Sequence, residues 1–318
     1  MINQRQIISS LALIVALACV PLVLDAENNY FVYYLFMAFT YLAMAQGFNI
    51  IGGYTGQVTL GQHAFFGLGA YVTAIVWEIA DLGYFSPMAM ILSGLIPAIL
   101  AVLIGIPLLS KLRGDYFSLG TLGLGEILRL IFIQGGAFTG GSMGKYLPSG
   151  SYSSMLPYYF VALFLAVFAT ATVFFIMKSS FGLALIAIRE DEVGAMANGI
   201  GVLRYKLFAF AVYAFISGLC GSLQAYYLFH IHPQNFFGLS WTLYPILMCV
   251  LGGGGTITGP VIGAFVLTGV FELAKIWVPF IHPIISGTLI ILAILFLPEG
   301  LIKMRLKGIP LKQRTHKP

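Results

Sequence analysis

The chain has 318 residues, of which 59% are hydrophobic and 8% charged, with a formal net charge of +5 and a mean hydropathy of +0.96. A soluble domain of this length covers itself with roughly a quarter charged residues, so the composition excludes one and defines an integral membrane protein. Nucleic-acid binding is excluded too, because the cations sit at the ends of apolar runs, as the retention of Lys and Arg on the cytoplasmic side dictates.

In chain order, apolar runs fall at 7–24, 30–51, 58–77, 87–110, 117–134, 157–177, 207–229, 241–251, 257–280 and 284–298. A helix of about 20 apolar residues crosses a bilayer, and no alternating pattern of a membrane barrel is present. The predicted fold is an all-α integral membrane protein, a polytopic bundle of 8–10 transmembrane helices with glycine-interrupted helices. The third and eighth runs are the weakest, being short or interrupted by glycine. Arg5 followed by Ile7–Leu24, with Ala16-Leu17-Ala18, imitates a cleavable signal, but its length and the spans that follow make it a retained first helix. Cys19, Cys220 and Cys249 lie inside apolar runs and suggest neither a disulfide framework nor a metal site.

Arg5, Lys111 and Arg113, the stretch Lys178–Lys206 and the tail from Lys303 to Lys317 together hold 13 of the 16 Lys and Arg residues. All four regions lie in the cytoplasm if both termini are inside, which requires an even number of spans. The domain division is a transmembrane region at 1–302, with a cytoplasmic loop at 178–206, and a basic cytoplasmic tail at 303–318. The outward segment Gly135–Leu156, rich in Gly and Ser, reads as a flexible connector in preference to a partner surface.

Two glycine-rich stretches break the apolar pattern. The first runs Gly52-Gly53-Tyr54-Thr55-Gly56-Gln57-Val58-Thr59-Leu60-Gly61-Gln62-His63, the second Gly252-Gly253-Gly254-Gly255-Thr256-Ile257-Thr258-Gly259-Pro260. Glycine costs a helix about 1 kcal/mol relative to Ala, and broken backbone at membrane depth is tolerated only where protein or a water-filled cavity satisfies it. Unwound segments point to a transporter's pathway, whereas close helix packing is the plainer reading. For the first stretch Gln57, Thr59, Gln62 and His63, beside Gly53, Gly56 and Gly61, tilt the reading to the pathway. For the second (Gly254, Gly255, Thr256, Gly259) the two readings are equal. Neither stretch holds the Gly-Lys-Ser/Thr of a phosphate-binding loop, so ATP is not bound here by that device.

Glu126 and Arg129 lie three apart in an apolar run, on one helical face, and form a predicted intramembrane ion pair. Fixing helix packing is the better-supported role, gating the other. Glu272 and Lys275 fall toward the outer end of a span, where snorkelling explains them. His230 and His232 form an interfacial pair without a third metal ligand. No catalytic constellation is recognisable, so the chain reads as a transport component and not an enzyme.

Within Lys178–Lys206, Leu185, Ile188, Glu192 and Met196 recur at helical spacing, and Gly199 and Gly201 end the helix. Arg189, Glu190, Asp191 and Glu192 form one charged block. A short helix between two spans, charged on one side and apolar on the other, fits a groove on a soluble partner.

The run Gly182-Leu183-Ala184-Leu185-Ile186-Ala187-Ile188-Arg189-Glu190-Asp191-Glu192, with Gly199-Ile200 and Tyr205-Lys206-Leu207-Phe208, resembles the coupling loop of branched-chain amino acid ABC transporter permeases, the LivM-like type. Gly56–Tyr71, Gly125–Arg129 and Gly253–Thr256 with Gly259-Pro260 resemble other motifs of that family, in the same order, from about Tyr30 to Gly300. The family often carries Arg where this chain has Leu183 and Ile186, which leaves shape and the Arg189–Glu192 block to do the gripping. The resemblance implies a permease for leucine, isoleucine or valine; relatives for urea or short amides are the alternative. An ion-driven secondary transporter fits less well, because the mid-span acid has a partner. The resemblance also implies a homologous second permease subunit, two cytoplasmic ATPase subunits that bind the ATP and grip Arg189, Glu190, Asp191, Glu192, Ala195 and Gly199, and an extracytoplasmic solute-binding protein.

Overall fold

The computed structural model describes residues 29–80, 85–112, 114–147 and 154–277, with parts of 12–24 and 287–288. The predicted spans at 284–298 and, in part, 7–24 lie outside the described residues, as do Arg5, Arg113 and the 303–318 tail.

Over the described residues, every run between 30 and 277 forms a helix. These are α1 (Tyr30–Phe48), α2 (Gln62–Ala80), α3 (Pro87–Lys111), α4 (Asp115–Gln134), α5 (Leu156–Lys178), two short helices α6 (Ser180–Glu190) and α7 (Glu192–Ala197), then α8 (Val202–Leu228), α9 (Ser240–Gly253) and α10 (Thr258–Trp277). Seven helical segments among the described residues are long and apolar enough to cross a membrane. The weak eighth run gains its length from a preceding turn, so that Pro233–Gly253 reaches 21 residues.

α1 starts where the Asn29 side chain accepts a hydrogen bond from the Phe31 amide at 2.9 Å, the usual N-cap device. It is apolar all round and buried along nearly its whole length, as a central helix must be. α8 packs against α3, α2 and α1, while α5 and α10 flank α1, α9 pairs with α10, and α4 lies against α2. Gly69 and Gly221 bring α2 and α8 together so closely that a Cβ on Gly69 would strike the Gly218 backbone and one on Gly221 the Phe66 backbone, which is the small-residue packing expected where no hydrophobic force separates helices from lipid. The opposite face of α3 exposes Ile91, Leu95, Ile99, Leu103 and Ile106 in one stripe, the lipid-facing pattern.

Two expectations need correction. The segment after Gly135 is anchored rather than flexible over residues 135–147. Its β1 strand (Lys145–Tyr146) pairs antiparallel with β2 (His230–Ile231), Lys145 pairs with Glu78, and the Tyr146 ring stacks on His230 at 4.1 Å. Glu272 does not snorkel either. It is buried, and receives hydrogen bonds from Lys275 Nζ at 2.6 Å and from the Tyr30 hydroxyl.

Candidate functional site

The two glycine stretches and the 179–201 loop meet at one end of the bundle. α1 does not stop at Phe48; it widens into a π-helical turn, Asn49–Tyr54, that contains Gly52 and Gly53. Such turns displace one residue from the regular ladder and mark functional positions. On the other side, Gly252 and Gly253 end α9, Gly254 and Gly255 form the turn, and Thr258 opens α10. The glycines therefore join helices at their ends.

Side chains lock the two turns together. Asn49, fully buried, accepts from the Gly255 amide at 2.8 Å and donates to the Thr256 carbonyl at 2.8 Å. Gln46, one turn earlier, donates to the Ile257 carbonyl at 2.8 Å. Thr256 Oγ1 donates to the Gly253 carbonyl at 2.7 Å and accepts from the Gly259 amide at 3.0 Å, closing the second turn on itself. Backbone groups that a helix end leaves unpaired are thus satisfied by amide side chains of α1.

Arg189 completes the junction from the loop. Its Nη1 donates to the Gly53 carbonyl at 3.0 Å, and the guanidinium also holds Glu190 at 2.7 Å. Gly56 and Gly255 both sit in the left-handed region, φ +73° and +77°, where L side chains are strained. A Cβ at Gly56 would lie 2.8 Å from Arg189 Cγ, and one at Gly255 2.8 Å from Arg189 Nη1. Arg189 is therefore clamped between two glycine turns that lie about 200 residues apart in sequence, as the 206-residue separation of Gly255 from Asn49 measures.

The loop itself is two helices, not the single one expected from its periodicity. Asp191 takes an extended conformation (φ −154°, ψ 105°) and caps α7 by accepting from the Val193 amide at 3.0 Å. Ile188, Ala195 and Val202 form a small apolar cluster beneath. Gly199, at φ +81°, turns the chain after α7. Three charges of the block have partners within the protein: Arg189 binds Gly53, Asp191 caps, and Glu192 pairs with the nearly buried Lys206 at 2.7 Å. What the loop exposes is Arg189, Glu190 and Asp191 together with Leu183, Val193 and Met196.

The remaining sequence-predicted residues separate from this junction. Gln57 is half-buried beside it, and its amide donates to the Ile51 carbonyl at 2.9 Å. Thr59 and Gly61 belong to the contact with α4, where Leu60 N donates to Thr121 Oγ1 at 3.0 Å and Ser118 Oγ donates to the Val58 carbonyl at 2.8 Å. Gln62 is fully buried and donates to the Met44 carbonyl and Ser217 Oγ at 2.9 and 3.2 Å. His63, also fully buried, shares the Thr242 hydroxyl: the backbone amide donates to it at 2.8 Å, so the hydroxyl proton is free for His63 Nδ1, also at 2.8 Å. The other ring nitrogen, Nε2, faces Gly125, where a Cβ would collide with the ring. Glu126 and Arg129 do pair, Nη2 to Oε2 at 2.6 Å, on the outer face of α4. Among the described residues, no group of His, Cys, Asp and Glu could hold a metal ion.

Sequence reasoning missed Gln46 and Asn49. Their signal was present: two amides three residues apart inside an apolar run, on the helix that leads into the first glycine pair.

These features define a multi-pass helical membrane protein whose polar backbone junctions are tied to an extramembrane loop, the organisation of a permease. Residues 30–297 match the family described as the branched-chain amino acid transport system / permease component, and the chain belongs to that family. It is 28% identical over 308 residues to the high-affinity branched-chain amino acid transport system permease protein LivM of Salmonella typhimurium, covering 87% of this chain and 71% of that one. The LivM of Escherichia coli is similar to the same extent, 28% over 309 residues, with 87% and 71% covered. A probable branched-chain amino acid transport permease protein LivM of Methanocaldococcus jannaschii is 26% identical over 234 residues, covering 68% of this chain and 67% of that one. No solved structure matches.

Proposed function

We propose that the chain is one permease subunit of an ATP-binding-cassette importer that carries leucine, isoleucine or valine across the bacterial cytoplasmic membrane. It pairs with a homologous second permease, two ATPase subunits dock on the 179–201 loop from the cytoplasm, and a solute-binding protein delivers the amino acid from outside. Both termini lie in the cytoplasm, as the distribution of Lys and Arg favours.

The observation that carries this reading is the Arg189 clamp. A loop that only rested on the membrane would have no reason to insert a guanidinium between the two glycine turns, bonded to the Gly53 carbonyl at 3.0 Å. In the importer, the ATPases meet the exposed Leu183, Val193 and Met196 on α6 and α7, and a displacement of the loop is met first at Arg189, where the loop touches the glycine turns. ATP binding can shift the permease only through contacts that differ between its states, and the clamp is such a contact.

The test is ATP-dependent uptake of radiolabelled L-leucine by cells carrying the chain with its partner subunits, with urea as the competing substrate. Arg189→Ala and Glu192→Ala are examined alongside for co-purification of the ATPases and for uptake. If both variants keep ATPase association and leucine uptake at the level of the unaltered protein, the loop does not couple.

A further inference from the structure

Glu126 and Arg129 pose a problem that the bundle leaves open. α4 spans Asp115–Gln134, 20 residues, and at about 1.5 Å per residue Glu126 lies about 16 Å along a helix of about 30 Å, near the middle of the hydrocarbon. The two side chains are nonetheless 46% and 35% exposed, on a face they share with the exposed Ile127 and Leu130. A charged pair at that depth cannot lie against lipid without a large cost; it belongs against water or protein. One turn before Glu126, Gly123 faces open space: a Cβ there would meet nothing within 4 Å. The helix thus presents a carboxylate, a guanidinium and a position free of side chain on one exposed side at mid-membrane.

We infer that this face of α4 lines the solute's route, and that Glu126 and Arg129 form a transit site for a zwitterionic amino acid, the carboxylate taking the α-ammonium and the guanidinium the α-carboxylate. The inference rests on the importer reading and names the chemical class of solute that reading requires. The pair is closed when empty, Arg129 Nη2 lying 2.6 Å from Glu126 Oε2 and Nε 2.9 Å away. A zwitterion opens it charge for charge, replacing one internal ion pair by two to the solute, so no charge is left unmatched in the low-dielectric interior. An anion such as isocaproate satisfies Arg129 and strands Glu126, while a neutral solute such as urea cannot repay the opening of the pair. The missing side chain at Gly123 leaves room for the solute beside Glu126, and the apolar Ile127 and Leu130 suit a branched aliphatic side chain. Selectivity for amino acids would then be exercised in the membrane as well as by whatever delivers the solute.

The experiment reads access and occupancy directly. In the assembled transporter, Gly123→Cys is introduced together with Cys19→Ser; the other two cysteines, Cys220 and Cys249, are buried. A membrane-impermeant, water-soluble thiol reagent is applied from either side, with and without L-leucine, isocaproate or urea. The expected result is labelling that L-leucine slows and that isocaproate and urea leave unchanged, with the L-leucine effect weakened on the order of tenfold in concentration by Glu126→Gln, as loss of one charge-assisted contact implies. Absence of labelling, labelling indifferent to L-leucine, or equal protection by urea overturns the inference. So does loss of subunit assembly in Glu126→Gln and Arg129→Gln, checked by co-purification, since the pair would then be an interface clasp. The importer reading fails separately, if the unaltered transporter does not take up leucine on ATP.

Discussion

Replacing Asn49 by Ala tests the junction at its centre. The side chain is fully buried and makes two hydrogen bonds of 2.8 Å, to the Gly255 amide and the Thr256 carbonyl. Truncation leaves a backbone donor and a backbone acceptor without protein partners, each worth about 1–3 kcal/mol when it stays dry. Gly255 and Thr256 are only half-buried, so water reaches part of the gap, and the lower part of that range applies. The sum is about 2–3 kcal/mol, which for a domain of this size lowers the thermal midpoint by about 4–12 °C. The assay is thermal denaturation of the detergent-purified protein, with Asn198→Ala as comparison. Asn198 also donates to a backbone carbonyl, that of Gly194 at 2.8 Å, but it is exposed, and its loss is expected to cost under about 0.5 kcal/mol. If Asn49→Ala is as stable as Asn198→Ala, the amide does not hold the glycine turns and the junction is not a structural unit.

Arg189→Ala is expected to leave ATP hydrolysis in the assembled transporter while lowering leucine moved per ATP, and Arg189→Lys not to restore it, since a point charge cannot hold Glu190 and the Gly53 carbonyl as a planar guanidinium does; the ratio of uptake to hydrolysis in proteoliposomes checks this. Gly255→Ala, forced to φ +77°, is expected to destabilise by about 1–2 kcal/mol. Gly123→Ala, with free space around it, is expected to be neutral or to stabilise by up to about 1 kcal/mol, so the two differ in sign in one denaturation series. Glu192→Gln strands the Lys206 ammonium, whose side chain is 3% exposed against 28% for Glu192. It is expected to cost up to about 3 kcal/mol, whereas Lys206→Met leaves the better-hydrated partner and costs less; equal midpoints for the two variants would contradict that asymmetry.

The spans were legible because a bilayer leaves the backbone no choice: each apolar run from 30 to 277 had to satisfy its amides internally, and over the described residues each did so as a helix. The junction was legible only in pieces. Gly53, Gly56 and Gly255 stood out as helix breakers, but nothing local to them says that they meet, because the partners of Asn49 lie more than 200 residues away. The direction of charges was the least legible feature. Arg189 and Glu192 read as an outward block, yet one reaches a carbonyl 136 residues distant and the other a lysine 14 residues on. Long-range pairing likewise turned the glycine-rich 135–147 stretch from a connector into part of a small sheet.

The way the loop is attached bears on how it can move. α6 and α7 pack on α5, α8 and the π turn, and their link to the second glycine turn is the Arg189 side chain at Gly255. That guanidinium is 39% exposed, so its bond to the Gly53 carbonyl competes with water and is worth little more than a surface interaction, roughly 1 kcal/mol or less. The amide bonds of Gln46 and Asn49, by contrast, lie inside the bundle and are costly to leave unmade. The loop can therefore release the turns without unpacking the helices, whereas the turns cannot part from each other without a larger input. A modest pull on α6 and α7 first frees Arg189, and only a pull that also displaces α1 against α10 opens the seam between the glycine turns. This order makes the clamp a threshold: small fluctuations of the loop are absorbed at Arg189, and only a sustained displacement reaches the seam between α1 and α10.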